Sequence, residues 1–218
     1  MDKKKQAEIA ERELRKIYND EAFNGALHTF GKGEFENAKP YVQSNEEMMP
    51  KIIVVSNKKV DGKNEVTIAM FANGFGDPDE KQKLLMGFGA KLYDQGIQPV
   101  ALFITSEVWM SRGEDLKKDM APSQDPKHRE GIMISGMTVD GRQNFAMAMI
   151  EEKDGKRDLG EPDYTEFDPK DRKVETESYL LKWVYQGYAL TLMQGMKGKL
   201  DFNEDINENT TKTKKQKK

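Results

Sequence analysis

The stretch P-V-A-L-F-I-T, Pro99 to Thr105, decides the fold. It is apolar at every position from Val100 to Ile104, without the two-residue alternation of a strand that keeps one face wet. Such a run reads as a central strand covered on both sides. Just upstream, K-I-I-V-V-S-N (Lys51 to Asn57) is rich in β-branched residues, and N-E-V-T-I-A-M-F-A (Asn64 to Ala72) alternates, so both read as strands. A two-residue turn at Asp61-Gly62 sets Val55 against Ile68 and Ile53 against Met70. Between these strands and Pro99 lies a helix signature. Asp77 is the N-cap, Pro78 the first helical position and Glu80 the reciprocal partner, and Gly96 closes the C-terminal end. Leu84, Leu85, Phe88 and Leu92 give its buried face, and Gly87 and Gly89 suit a close approach to a sheet. The strand–helix–strand order predicts a crossover that lays Val100–Ile104 parallel to the Asn64–Ala72 strand.

Downstream, Glu130–Val139 and Arg142–Glu152 flank Asp140-Gly141, a strong hairpin signal. Pairing outward from that turn sets Ile132 against Met149, Ile134 against Met147 and Gly136 against Phe145 on a core face. The opposite face holds Met133, Ser135, Met137, Asn144, Ala146 and Ala148, half apolar and in need of cover. Glu177 to Met196 is apolar nearly all round and predicts a buried helix, placed on the sheet face opposite the 78–94 helix. At the other end, residues 2–23 predict a helix with Ala10, Leu14, Ile17 and Tyr18 on its apolar stripe. Gly25, Gly31 and Gly33 punctuate what reads as an irregular connection, where a lone His28 reads as a surface residue. The expected class is therefore α+β: a single mixed sheet of roughly five strands, with a β-α-β crossover, a β-hairpin and helices on both faces. The expected divisions are an N-terminal helix at 1–24, an irregular connection at 25–50, a core domain at 51–196 and a disordered lysine-rich tail at 197–218.

Composition removes several functions. The chain has 218 residues and no cysteine, so disulfides, thiolate metal sites and cysteine nucleophiles are out, which suits a reducing cytoplasm. A formal net charge of −3 gives no global pull toward nucleic acid or anionic lipid. The lysines near the N-terminus precede no apolar core, so they make no signal peptide. No run of about 18 apolar residues exists to span a bilayer. The expectation is a soluble, cytoplasmic protein with no cofactor and no metal centre.

Four stretches offer chemistry. N-G-F-G-D-P-D-E has glycines before a helix start, but Asp77, Asp79 and Glu80 repel an anion there, and the P-loop ending is missing. The loop after Thr105 spans about 20 irregular residues, long enough to suggest function. Leaving the end of a central strand, it supplies Glu107, Arg112, Asp125, His128 and Arg129 as candidate ligand-binding residues. Nothing in the spacing sets Ser123 against His128 as a hydrolase needs, and no nucleophile elbow is present. The bland reading of the same residues is a strand-end salt bridge among Glu107, Arg129 and Glu130. The segment Asp158–Pro169 holds five acids and no base without calcium-loop spacing, which reads as a solvated linker docked by Tyr164 and Phe167. The tail carries five lysines in its last seven residues, the one place where phosphates of a nucleic acid would find a grip.

The pattern S-E-x-W at Ser106–Trp109, followed by P-S-x-D-P-x-x-R-E at Pro122–Glu130, resembles an element of uncharacterised proteins from bacterial and phage genomes. The resemblance covers Ala101 to Ile150. It implies a shared fold and a phage or mobile-element origin, and brings no activity with it. Two functions follow from the residues. One is a non-catalytic accessory or assembly protein that binds a protein partner or its own copies through methionines and aromatics, with Met133, Met137, Trp183 and Tyr185 as interface candidates. The alternative is a small-anion-binding or hydrolytic domain using the 105–130 loop, and a weaker one is a nucleic-acid-associated protein.

Overall fold

A computed structural model describes residues 12, 13, 15–71, 78–110, 128–168 and 180–195. The sheet is seven-stranded: β1 (Lys51–Val60), β2 (Lys63–Met70), β3 (Pro99–Met110), β4 (Arg129–Thr138), β5 (Gln143–Lys153), β6 (Lys156–Leu159) and β7 (Asp163–Thr165). Six strands run in the order β2-β1-β3-β4-β5-β6, β7 pairs with β5, and every pairing is antiparallel. The class is α+β as expected, with more strands than the five predicted. The crossover also differs in detail. β2 and β3 point the same way because each is antiparallel to β1, but β1 lies between them and they share no hydrogen bonds.

β3 is the middle of this molecule. Val100 to Ile104 are at most 5 % exposed, and their side chains divide between two cores. Ala101 and Phe103 join one core, while Leu102 and Ile104 join the other. The first core is roofed by α1 (Asp20–Ser44), a helix of 25 residues occupying the stretch expected to be irregular. Phe23, Leu27, Ala38 and Val42 on α1 are buried at helical spacing. Each large side chain of that kind contributes about 1.5–3 kcal/mol through burial, which outweighs the helix cost of Gly25, Gly31 and Gly33 at about 1 kcal/mol apiece. The expected 2–23 helix ends early. Residues 15–17 are helical, the chain bends at Tyr18, and Asn19 caps α1 by accepting from the Ala22 N–H at 2.8 Å. Asn45, left-handed at φ 59°, ends the helix.

The second core lies under α2 (Pro78–Asp94) and α3 (residues 180–195). Both helices sit on the same face, against the expectation that the Trp183 helix would take the opposite one. They cross nearly backbone to backbone. A Cβ on Gly89 would stand 2.0 Å from the Val184 carbonyl oxygen, and one on Gly187 would stand 1.9 Å from that of Met86. Gly89 therefore serves helix–helix contact rather than the helix–sheet contact expected of it.

Both hairpins are offset from the simple reading. A bulge between Val55 and Lys59 puts Ile53 opposite Ile68 and Val55 opposite Val66. At the β4–β5 turn the loop is three residues long. Thr138 N–H donates to the Arg142 carbonyl, and Gly141 sits at φ 87°, the geometry of a turn followed by a one-residue bulge. The register therefore slips by one: Ile134 faces Ala146, Ile132 faces Ala148 and Gly136 faces Asn144. A one-residue slip exchanges the faces, so Asn144, Ala146 and Ala148 are the buried set while Phe145, Met147 and Met149 are only half-buried. Arg142, 4 % exposed, locks this turn to the start of α1. It pairs with Asp140 at 3.0 Å and Asp20 at 2.6 Å, and it donates to the Tyr18 carbonyl at 2.7 Å.

Candidate functional site

The loop expected after Thr105 starts later: β3 stays paired with β4 as far as Met110, so Glu107 and Arg129 are strand residues at the far end of the sheet rather than loop residues. On β3, Glu107 and Trp109 share a face, and their partners on β4 are Ile132 and Glu130. That face looks toward the C-terminal end of α1. There Tyr41, Val42 and Asn45, with Glu46, Glu47 and Met48 of the following turn, close a cleft over Glu107, Trp109, Glu130 and Ile132. Its floor is completed by Ile150 of β5 and Arg157 of β6. Arg157 bridges the walls, donating to Glu130 and to the Asn45 side-chain carbonyl. His128 meets Glu130 from the other side at 3.1 Å, and its ring stands edge-on to Trp109 at 6.3 Å.

The electrostatics follow from this crowding. Burial holds the Glu107 carboxyl above the ordinary value of 4.5, and the Glu130 carboxylate adds to the rise while Arg157 opposes it. A carboxyl held above its ordinary value by burial is one ingredient of acid–base chemistry. Among the described residues no serine, threonine or lysine lines the cleft, and its volume is about 130 Å³. Pockets that enclose a drug-sized molecule run to about 300–1,000 Å³, so this one holds a few waters. Its charge also argues against an anion: Glu46, Glu47, Glu107 and Glu130 line it, and Arg157 is already engaged. Among the described residues no group of three or more histidines, cysteines or carboxylates has metal-binding geometry.

Of the candidate ligand residues, Glu107 lines the cleft and His128 adjoins it through Glu130. Arg129 is exposed, and with His128, Glu130 and Arg157 it borders a second, open pocket of about 320 Å³ beside the cleft. Glu130 is paired instead with Arg157, 27 residues further on, and the second partner of that arginine is Asn45 rather than Glu107. Arg112 and Asp125 lie outside the described residues, as do Asp77 and the lysine tail. The interface candidates fare unevenly. Met137 is 3 % exposed in the second core, and its carbonyl accepts from the Tyr185 hydroxyl at 3.0 Å. Trp183 and Tyr185 pack partly buried against the same core, and Met133 is half-buried. Met137, Trp183 and Tyr185 thus take part in the second core. Burial, aided by Asp140 and Tyr18, pushes the Tyr185 hydroxyl well above its ordinary value of 10.0, as expected for a ring whose polar end is held inside.

The apolar side chains that do stand open lie elsewhere. Val66, Ile68 and Met70 on β2 are 44 %, 57 % and 65 % exposed. The alternation of this strand was legible in the sequence, but not that its larger residues would face outward at a sheet edge. No helix among the described residues is long and apolar enough to cross a membrane. No protein-family model, no curated protein and no solved structure matches this chain.

Proposed function

We propose that this chain is an accessory or assembly protein that works by protein–protein contact, made through the open edge of β2. The observation that carries this reading is the coincidence of an outermost strand with three successive exposed apolar side chains, Val66, Ile68 and Met70, on one of its faces. Scattered exposed apolar residues need no explanation, but a contiguous stripe along an edge with no strand partner among the described residues marks a contact surface. The rim cleft supports a structural role better than an anion site, since an incoming anion meets four carboxylates and an arginine already bound.

The test compares the native size of the full chain in extracts of cells producing either the unaltered chain or Ile68→Lys. The expected result is elution above the 24.9 kDa position for the unaltered chain and a return to that position for Ile68→Lys. Elution of both at the monomer position overturns the reading.

A further inference from the structure

We infer that the partner at this edge is a second copy of the chain, its β2 strand paired antiparallel about a two-fold axis at Thr67, so that two sheets become one. This rests on the contact reading above and names its partner.

The direction of the backbone groups comes first. The Phe71 N–H donates to the Pro50 carbonyl at 3.0 Å, and the register pairs Met70 with Lys51, Ala69 with Ile52, Ile68 with Ile53 and Thr67 with Val54. In an antiparallel ladder hydrogen-bonded and non-hydrogen-bonded pairs alternate. Phe71, Ala69 and Thr67 therefore turn their N–H and C=O toward β1, while Met70, Ile68 and Val66 turn theirs to the open side. The residues whose backbone groups meet no partner among the described residues are thus the residues with exposed apolar side chains. Pairing and apolar burial call for the same partner in the same place.

The devices that usually protect an edge are missing from this segment. Val66 to Met70 contains no proline and no charged residue, and its register is unbroken. The strand is also self-complementary. An axis on Thr67 sets Val66 opposite Ile68 of the second copy and Asn64 opposite Met70, and the reverse by symmetry. Glu65 then faces Ala69, so no like charges meet, and Thr67 faces Thr67, a favourable pair. An axis between residues would oppose outward groups to inward ones and form no ladder. An axis on Val66 would set Met70 against the turn glycine Gly62, and one on Ile68 would set Asn64 beyond the end of β2. Thr67 is the position that uses the whole strand. A two-fold contact of this kind closes on itself rather than growing into a fibre.

The absence of cysteine makes the test clean. Opposed residues of a non-hydrogen-bonded pair have Cα atoms about 4.5 Å apart, within the range a disulfide spans. In the full chain, Thr67→Cys under mild oxidation is expected to form a covalent dimer at least about tenfold faster than Asp154→Cys, placed in the exposed β5–β6 turn. Adding Ile68→Lys to Thr67→Cys should slow it by a similar factor, and circular dichroism checks that the double variant stays folded. Sedimentation of the unaltered chain should give a mass that climbs from 24.9 kDa toward twice that with concentration. A constant monomer mass, or cross-linking of Thr67→Cys no faster than Asp154→Cys, overturns the inference. So does faster cross-linking of Ile68→Cys than of Thr67→Cys, which would displace the axis. A purified monomer whose larger size in extracts is still lost in Ile68→Lys overturns self-pairing and leaves the contact reading standing. Monomer behaviour in both settings removes both.

Discussion

The two edges of the sheet are finished in opposite ways. At the β6 edge the strand has four residues, three of them charged, and α1 reaches over it. Gln43 donates to Asp158 at 3.3 Å, Arg157 binds Asn45, and the rest of the β5 edge is filled by β7. At the β2 edge the strand has eight residues, and its exposed middle is apolar. α1 packs mainly against β3, β4, β5 and β6, and it reaches β1 through the Glu34–Lys51 pair at 2.6 Å. One long helix cannot cover a whole seven-stranded sheet, and this one lies toward the β6 half. An edge is protected by what reaches across it, and where no described residue does the strand's own chemistry is left to speak.

The largest expected effect is at the covered edge. Tyr164 of β7 stacks on His28 at 4.4 Å and stands edge-on to Phe35, and its ring fills the notch left by Gly31, where a Cβ would come within 3.0 Å of it. Tyr164→Ala should cost about 2–4 kcal/mol by loss of a packed aromatic ring, read as a lower urea midpoint at unchanged slope. A loss below about 1 kcal/mol, the scale of an ordinary surface change, would show that α1 does not hold this edge through the ring.

Next comes a pair of prolines at the open edge, compared at concentrations too dilute for association. Thr67→Pro removes a donor directed at β1 and leaves a buried acceptor on Val54, which is 0 % exposed. That should cost about 1–3 kcal/mol. Ile68→Pro removes a donor directed at solvent and should change stability by no more than about 0.5 kcal/mol. Equal losses from the two would mean that the outward and inward groups are misassigned, and the case for a second copy on β2 would go with them.

The difference between the edges also explains what could be read from the chain. The apolar run Val100–Ile104 was decisive because burial on both faces leaves no ambiguity of period, and β3 is central and doubly covered. α1 was illegible because its glycines mimic a loop. The signals that mattered were Asn19 followed by Asp20 and Glu21, a cap and an acidic first turn, and Phe23, Leu27 and Val42 at helical spacing. The β4–β5 register was misread because Asp140-Gly141 fits both a two-residue turn and the tail of a three-residue one, and only the Thr138–Arg142 bonding separates them. At the rim, the place of Glu107 was legible because it lies near the end of a central strand. Arg157 was not, because its approach to Glu130 depends on β6 folding back along β5, which spacing does not reveal.

The smallest effect expected is at the rim cleft, which belongs to the protected side of the sheet. Because burial and Glu130 raise the Glu107 carboxyl above 4.5 in the folded chain, the folded state holds this proton more tightly than the unfolded state does. Stability contributed here is therefore present at low pH and declines as pH rises from about the unfolded value through the raised one. Glu107→Gln cannot ionise. Relative to the unaltered chain, its melting temperature should gain as pH climbs through that window and then level off, with the gap closing again below 4.5. Arg157→Ala removes the cation that, among the described residues, opposes the rise, so it should push the Glu107 carboxyl further up and extend the window toward neutrality. Melting curves of the three proteins across the carboxylate range decide it. A gap that shrinks with rising pH would mean that Glu107 is held ionised by Arg157, and the cleft would then be an ion-paired seam rather than a desolvated one.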